Sequence, residues 1–210
     1  MIKRITLIVV LVIIVGFCAK AQKITWGAKL SAGFGYQKIT NTDILSAGSV
    51  KTINFRGIAQ MPVSTNFWIE GGLGIVGKGS VVYNDALTTT THLTYVEVPL
   101  NLLRKFTFTD LGVFYIGAGG YVGMGIGGSL DYETPGSNTS DKIKFGKNDD
   151  VTKFDAGLSF TTGFEFRNHV TFNLGYSLGL NNIASTTQQD SGTSVVKNRQ
   201  FLVGLGYLFK

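Results

Sequence analysis

A chain of 210 residues with 28 glycines, 12% aromatics and 3 prolines has the length of one domain and the composition of many strands, not of a disordered polymer. Its formal charge of +6 shrinks on inspection, because Lys3, Arg4 and Lys20 all lie in the first 21 residues; beyond them 16 basic residues face 13 acidic ones, a balance of +3. That excludes a strongly basic nucleic-acid binder, and the sole cysteine, Cys18, lies in the same leader, which removes disulfides and Cys-based metal sites from the remainder.

Residues 1–21 have the parts of a secretory signal peptide. Lys3 and Arg4 supply the basic start, Ile5–Phe17 the apolar core, and Ala19-Lys20-Ala21 the small-x-small cleavage pattern before Gln22. The apolar core is shorter than the about 20 residues a spanning helix needs. The expected organisation is a signal peptide over 1–21 and a single domain over 22–210.

The first expected strand is Ile24–Tyr36, with Trp26, Ala28, Leu30, Ala32, Phe34 and Tyr36 on one face and Gly27, Lys29, Ser31, Gly33 and Gly35 on the other. Residues 37–49 read as a long loop. Val50–Met61 follows, with Ile53, Phe55, Gly57, Ala59 and Met61 opposite Asn54, Arg56, Ile58 and Gln60. After a short turn at 62–66, Phe67–Tyr83 sets Phe67, Ile69, Leu73, Ile75 and Val81 against Glu70, Gly72, Gly74, Lys78 and Ser80. Residues 84–91 read as a second polar loop.

His92–Phe106 sets Val96, Val98, Leu100 and Leu102 against Tyr95, Glu97, Pro99, Asn101 and Lys105. Pro99 has no N–H for a ladder, so a bulge or broken pairing is expected beside it. Leu111–Tyr132 follows the turn at 107–110, with Phe114, Ile116, Val122, Met124, Ile126, Leu130 and Tyr132 on the apolar face and a row of glycines opposite. Residues 133–150 form the longest expected loop. Phe154–Phe166 and Val170–Leu180 then alternate cleanly around Arg167-Asn168-His169, which reads as an antiparallel hairpin. The last loop is 184–197 and the last strand Asn198–Lys210, with Phe201, Val203, Leu205, Tyr207 and Phe209 on the apolar face.

The polar face decides where such strands live. It is mostly Gly, Ser, Thr and Asn, which suits a crowded polar lumen better than a water-washed surface, while Phe, Leu and Tyr suit lipid. Eight strands with long and short connections in alternation match the long external loops and short periplasmic turns of outer-membrane barrels. The fold expected is therefore all-β, an eight-stranded antiparallel up-and-down transmembrane β-barrel with both termini periplasmic. Trp26, Phe67, Trp68, Phe106, Phe166 and Phe209 mark one interface, and Tyr36, Tyr83 and Tyr132 the other.

Tyr95-Val96-Glu97-Val98-Pro99-Leu100, Asp155-Ala156-Gly157-Leu158 and Tyr176–Ile183 resemble the outer-membrane β-barrel family common in Bacteroidota, labelled porin-like or PorT-like. The resemblance spans the chain beyond the leader and implies an eight-stranded barrel in the outer membrane of a Gram-negative bacterium, with no cofactor and no stated activity.

Motifs that carry chemistry elsewhere fail here on context. Gly72–Gly79 has the spacing of a phosphate loop, but Gly79 stands where Ser or Thr should follow Lys78, and strand alternation continues where a helix should begin. His92 and His169 fall at opposite rims and cannot share a metal. A lipid-modifying enzyme would need His92 beside a Ser and a carboxylate, and no such trio is close in sequence. Asn148-Asp149-Asp150 lacks the spaced ligands of a calcium loop.

The inward charges are Lys29, Arg56, Lys78 and Lys105 against Glu70, Glu97, Asp155 and Glu165, and unpaired they would each cost several kcal/mol, so a lumen charge network is expected, centred on Lys29, Arg56 and Glu70. An eight-stranded barrel is filled by side chains. The function expected is thus a non-enzymatic barrel displaying four external loops for envelope structure or surface binding. A narrow diffusion channel and an accessory of a secretion system are the alternatives. Expected partners are outer-membrane lipid, periplasmic chaperones and the barrel-assembly machinery during biogenesis, and an unknown surface ligand or secretion component, with no nucleic acid.

Overall fold

The computed structural model describes residues 24–40, 46–84, 87–146, 149–184 and 195–209. The signal peptide expected at 1–21 lies outside the described residues. Among the described residues ten strands follow in order: β1 (Thr25–Thr40), β2 (Ser46–Gly48), β3 (Val50–Pro62), β4 (Phe67–Asn84), β5 (Leu87–Phe108), β6 (Gly112–Thr134), β7 (Ser137–Lys142), β8 (Phe154–Phe166), β9 (Val170–Gly179) and β10 (Val195–Phe209). Eight of them close a ring of antiparallel neighbours, β1-β3-β4-β5-β6-β8-β9-β10, in which β10 returns to β1 from Trp26↔Phe209 to Thr40↔Val195. Strands β2 and β7 are additions at one end, β2 against β4 and β7 folded back on β6.

Which side of the wall is dry follows from burial. Leu158, Phe172 and Leu205 are 40%, 38% and 61% exposed, whereas Lys29, Glu70, Lys78, Glu97 and Asp155 are buried. A water-soluble sandwich would show the reverse. On β1 the outward run from Trp26 to Phe34 takes eight steps of about 3.3 Å at a tilt of about 40°, or about 20 Å along the axis, and side-chain height completes the about 25 Å of an outer-membrane hydrocarbon band. Aromatic pairs line its lower edge, among them Phe106–Phe114, Phe164–Phe166 and Tyr207–Phe209, with ring centroids 6.1, 5.0 and 5.6 Å apart. Trp68, expected in this girdle, instead stands on the inner phase, its ring 4.3 Å from Lys105 Nζ.

Four local expectations are corrected. Strands run beyond the hydrocarbon band, so residues 37–40 belong to β1, and the loop expected at 84–91 is replaced by β4 and β5 reaching Asn84 and Leu87. The loop expected at 133–150 contains the β6–β7 hairpin. The β5–β6 register shifts at Thr94/Tyr95, where Thr94 opposes Gly127 and Tyr95 opposes Gly125. This bulge reverses the phase of β6, and Leu130, expected outside, packs against the buried cluster of Leu93, Tyr95, Ile143 and Ile183; the register carries Tyr132 to the same face.

Pro99 does interrupt pairing, but without a bulge of its own. The β4–β5 ladder runs Gly71↔Leu100 and resumes at Gly74↔Glu97 with no change of register, while Pro99 stays paired with Tyr121 on the other side. The missing N–H is thus lost on the β4 flank alone. Gly79 is explained by shape rather than phosphate: its φ is 153°, and a Cβ there would collide with the Thr91 carbonyl oxygen.

A ring without a free edge keeps its structure in dodecyl sulfate until heated. The protein is expected to migrate faster unheated than boiled on a detergent gel, and identical migration would mean that the β1–β10 seam does not close.

Candidate functional site

The lumen is crossed by two tiers of ion pairs. In the lower tier Lys29 Nζ lies 2.7 Å from Glu70 Oε2, and Lys105 Nζ lies 2.6 Å from Glu165 Oε1. Gln60 links the pairs, donating to Glu70 Oε2 at 2.8 Å and to Glu165 Oε1 at 3.1 Å while its carbonyl accepts from Lys105 at 2.7 Å. These five side chains come from β1, β3, β4, β5 and β8, so the tier ties walls that are not neighbours in the ring.

In the upper tier Glu97 is held by two cations, Arg56 Nη2 at 2.6 Å and Lys78 Nζ at 2.7 Å. Lys78 also reaches Asp155 Oδ2 at 3.0 Å and lies 4.0 Å from the Tyr121 ring centroid. Asp155 Oδ2 further accepts from Asn198 at 2.9 Å, and Asn198 in turn accepts from Gln37 at 3.2 Å. Arg56 therefore pairs with Glu97 rather than Glu70, and Lys78 is the hub that links two of the carboxylates. Neutral amides complete the filling: Gln200 donates to Thr52 Oγ1 at 2.8 Å and to the Gly77 carbonyl at 2.6 Å, and accepts from Asn54 at 3.1 Å.

Charges count out evenly, with four cations against four carboxylates. Each sits where water is scarce, so its desolvation is offset only because a partner and further hydrogen bonds are in place. What remains open between the tiers, beside Lys29, Arg56, Glu70 and Glu97, is a cavity of about 40 Å³. That is room for a few water molecules and no more.

The mouth at the end away from the start of β1 and the finish of β10 is capped by chain from the β7–β8 connection. Ile143 N bonds the Gly128 carbonyl at 3.0 Å, Gly125 N bonds the Lys153 carbonyl at 2.8 Å, and Phe145 packs edge-on against Tyr95 at 5.8 Å. Asn181 extends the β8–β9 ladder with its side chain, accepting from Ala156 N at 2.6 Å and donating to the Phe154 carbonyl at 2.8 Å. Asn182 accepts from Val196 N at 2.7 Å, which leaves Ile183 buried in the cap. Beside the cap lies a cavity of about 440 Å³, apolar where Leu130, Val151 and Ile183 line it and acidic at Asp149 and Asp150. Sequence reasoning placed Ile143, Phe145, Asp149 and Asp150 in the loop at 133–150; Asn181-Asn182-Ile183, at the end of the Tyr176–Ile183 motif, was the signal that could have located the cap.

The histidines lie at opposite ends. His169 occupies the β8–β9 turn with a φ of 69°. His92, on the outer surface, has Nε2 3.8 Å from Asp131 Oδ2. Ser129 and Ser140 do join this carboxylate, but each donates to Asp131, at 3.5 and 2.5 Å, and so their protons are directed away from His92.

Over residues 20–185 the chain matches the family described as outer membrane protein beta-barrel domain. Among solved structures it is similar to Neisserial surface protein A, with 13% identity and a TM-score of 0.48, over 89% of this chain and 99% of that chain. A major outer membrane protein from Thermus thermophilus matches at 12% identity and TM-score 0.45, over 89% and 100%. The attachment invasion locus protein Ail of Yersinia pestis matches at 13% and 0.38, over 87% and 98%. No curated protein sequence matches the chain.

Proposed function

Since the chain belongs to the outer membrane protein beta-barrel domain family, we propose that it is a non-catalytic barrel with a sealed lumen that presents its external connections for envelope structure or surface binding. One observation carries this reading: the bore is spanned by buried, charge-balanced side chains around a cavity of about 40 Å³. Moving an ion through it would break several desolvated pairs at once. Reconstituted into a planar bilayer, the protein is expected to give no stepwise current; discrete conductance steps would overturn the sealed barrel in favour of a narrow channel.

Both termini are periplasmic in this proposal. The short connections at 63–66, 109–111 and 167–169 share the end where β1 begins and β10 finishes, and the capped mouth and the β6–β7 hairpin share the other. Ser129 and Ser140 donate to Asp131, which in turn lies 3.8 Å from His92, an order of contacts unlike the serine-to-histidine-to-carboxylate chain of a hydrolase. Surface binding is supported by the acidic, apolar cavity beside the cap. Chaperones and the assembly machinery serve as partners only during biogenesis. The PorT-like resemblance of Tyr95–Leu100 adds a secretion-accessory reading, which co-purification with secretion components would sustain.

A further inference from the structure

The outward face of β3, β1, β10 and β9 changes character abruptly at one height. Its last apolar residues include Ile53, Phe34 and Phe201, all about half exposed or more on the bilayer side of the wall. The next outward positions are Lys51 on β3, Tyr36 and then Lys38 on β1, and Arg199 and then Lys197 on β10. Lys38 and Lys197 stand directly opposite each other in the β1–β10 ladder, and Arg199 stands opposite Tyr36. Like charges so placed are about 5 Å apart at Cβ and repel.

Nothing on these strands relieves that repulsion. Strands β1, β3, β9 and β10 contain no Asp or Glu at any position. Among the described residues, none of Lys38, Lys51, Lys197 and Arg199 forms an ion pair. Around them are hydrogen-bonding groups: the Tyr36 and Tyr176 hydroxyls are 2.8 Å apart, and the Arg199 guanidinium lies 5.9 Å from the Tyr36 ring. The far side of the barrel is different, with Asp131, Glu133 and Asp141 beside a single cation, Lys142, on β6 and β7.

We propose that this face binds the phosphorylated sugar headgroup of an outer-leaflet glycolipid. Headgroup phosphates lie at the upper edge of the hydrocarbon band, where these cations begin, and long Lys and Arg stems reach that level from strands packed in acyl chains. A guanidinium takes a phosphate by a two-pronged contact and the opposed lysines need an anion between them. Cations spread over neighbouring strands about 4.8 Å apart suit a headgroup with more than one phosphate better than a single phosphodiester. The assignment to the outer leaflet rests on the orientation proposed above, which protease cleavage of the β6–β7 hairpin on intact cells tests separately.

The full chain, folded in detergent micelles, is mixed with diphosphorylated lipid A, with its dephosphorylated form, or with phosphatidylglycerol, and bound lipid is read by native mass spectrometry. Wild-type protein is expected to retain the diphosphorylated lipid, and the K38Q/K197Q/R199Q variant to retain about 100-fold less, the effect of three cations at an anionic surface. Arg104→Gln, an outward cation at the opposite end, should leave retention unchanged. Heat-modifiable migration certifies each variant as folded; if the triple variant fails that check, the single substitutions carry the test at about fivefold each. Equal retention by folded variant and wild type overturns the site. Equal retention of the dephosphorylated lipid, or of phosphatidylglycerol, overturns the phosphorylated glycolipid as its occupant.

Discussion

Glu97→Ala is expected to lower the unfolding free energy by about 3–5 kcal/mol, the usual cost of removing one partner from a buried ion pair. Glu97 is the acid of the upper tier that faces two cations, Arg56 at 2.6 Å and Lys78 at 2.7 Å. Without it Arg56 has no carboxylate within ion-pair distance among the described residues, and Lys78 keeps Asp155 alone at 3.0 Å. Glu97→Gln keeps the volume and an acceptor and should cost less, and removing Arg56 together with Glu97 should recover part of the loss. Urea unfolding in lipid vesicles, followed by the gel shift and tryptophan emission, measures all three. A loss under about 1 kcal/mol for Glu97→Ala would mean that water screens the lumen as it screens a surface pair.

Leu205→Arg tests the other side of the wall. Leu205 is 61% exposed, midway between Phe201 and Phe209 on β10, and opposes Leu30 on β1 and Phe172 on β9. A guanidinium at the bilayer midplane costs about 2–4 kcal/mol, falling to about 0–1 near the interface. Phe209→Arg, at the end of the same row, should therefore be milder. Equal effects at both positions in the same unfolding assay would mean that no hydrocarbon gradient runs along this face.

Both sides could be read because the strands within the hydrocarbon band carry strong contrast. On β8 and β9 the even positions hold Phe154, Leu158, Phe160, Phe172 and Leu174 while the odd ones hold small or polar residues, so the phase is fixed by chemistry. Contrast disappears in two kinds of place. Where strands rise above the membrane, both faces meet water, and Thr88–Thr91 and Ser137–Lys142 look like loops although they are paired. Where glycine fills a stretch, as at Gly123, Gly125, Gly127 and Gly128, a one-residue slip leaves no trace in composition. The phase reversal that brings Leu130 inside was hidden there.

Partner choice across the bore was legible for Lys29 with Glu70 but not for Arg56. Arg56 and Glu70 sit on neighbouring strands and looked matched, yet Arg56 meets Glu97 from β5 and Glu70 meets Lys29 from β1. Strand stagger decides such pairs, and stagger depends on the whole closed ring. Gln37 was assigned to a loop, although it accepts from Ser80 at 2.8 Å and reaches Asn198 in the upper tier.

How the lumen charges are shared between strands bears on insertion. The contiguous set β3, β1, β10 and β9 brings only Lys29 and Arg56 to the interior, while β4, β5, β6 and β8 bring Lys78 and Lys105 with Glu70, Glu97, Asp155 and Glu165. Each half taken alone is electrically lopsided, by two units of opposite sign, and neutrality exists only once both seams, β3 with β4 and β8 with β9, have zipped. A half-assembled sheet would hold unpaired charge at bilayer depth, a cost that the closed ring alone removes.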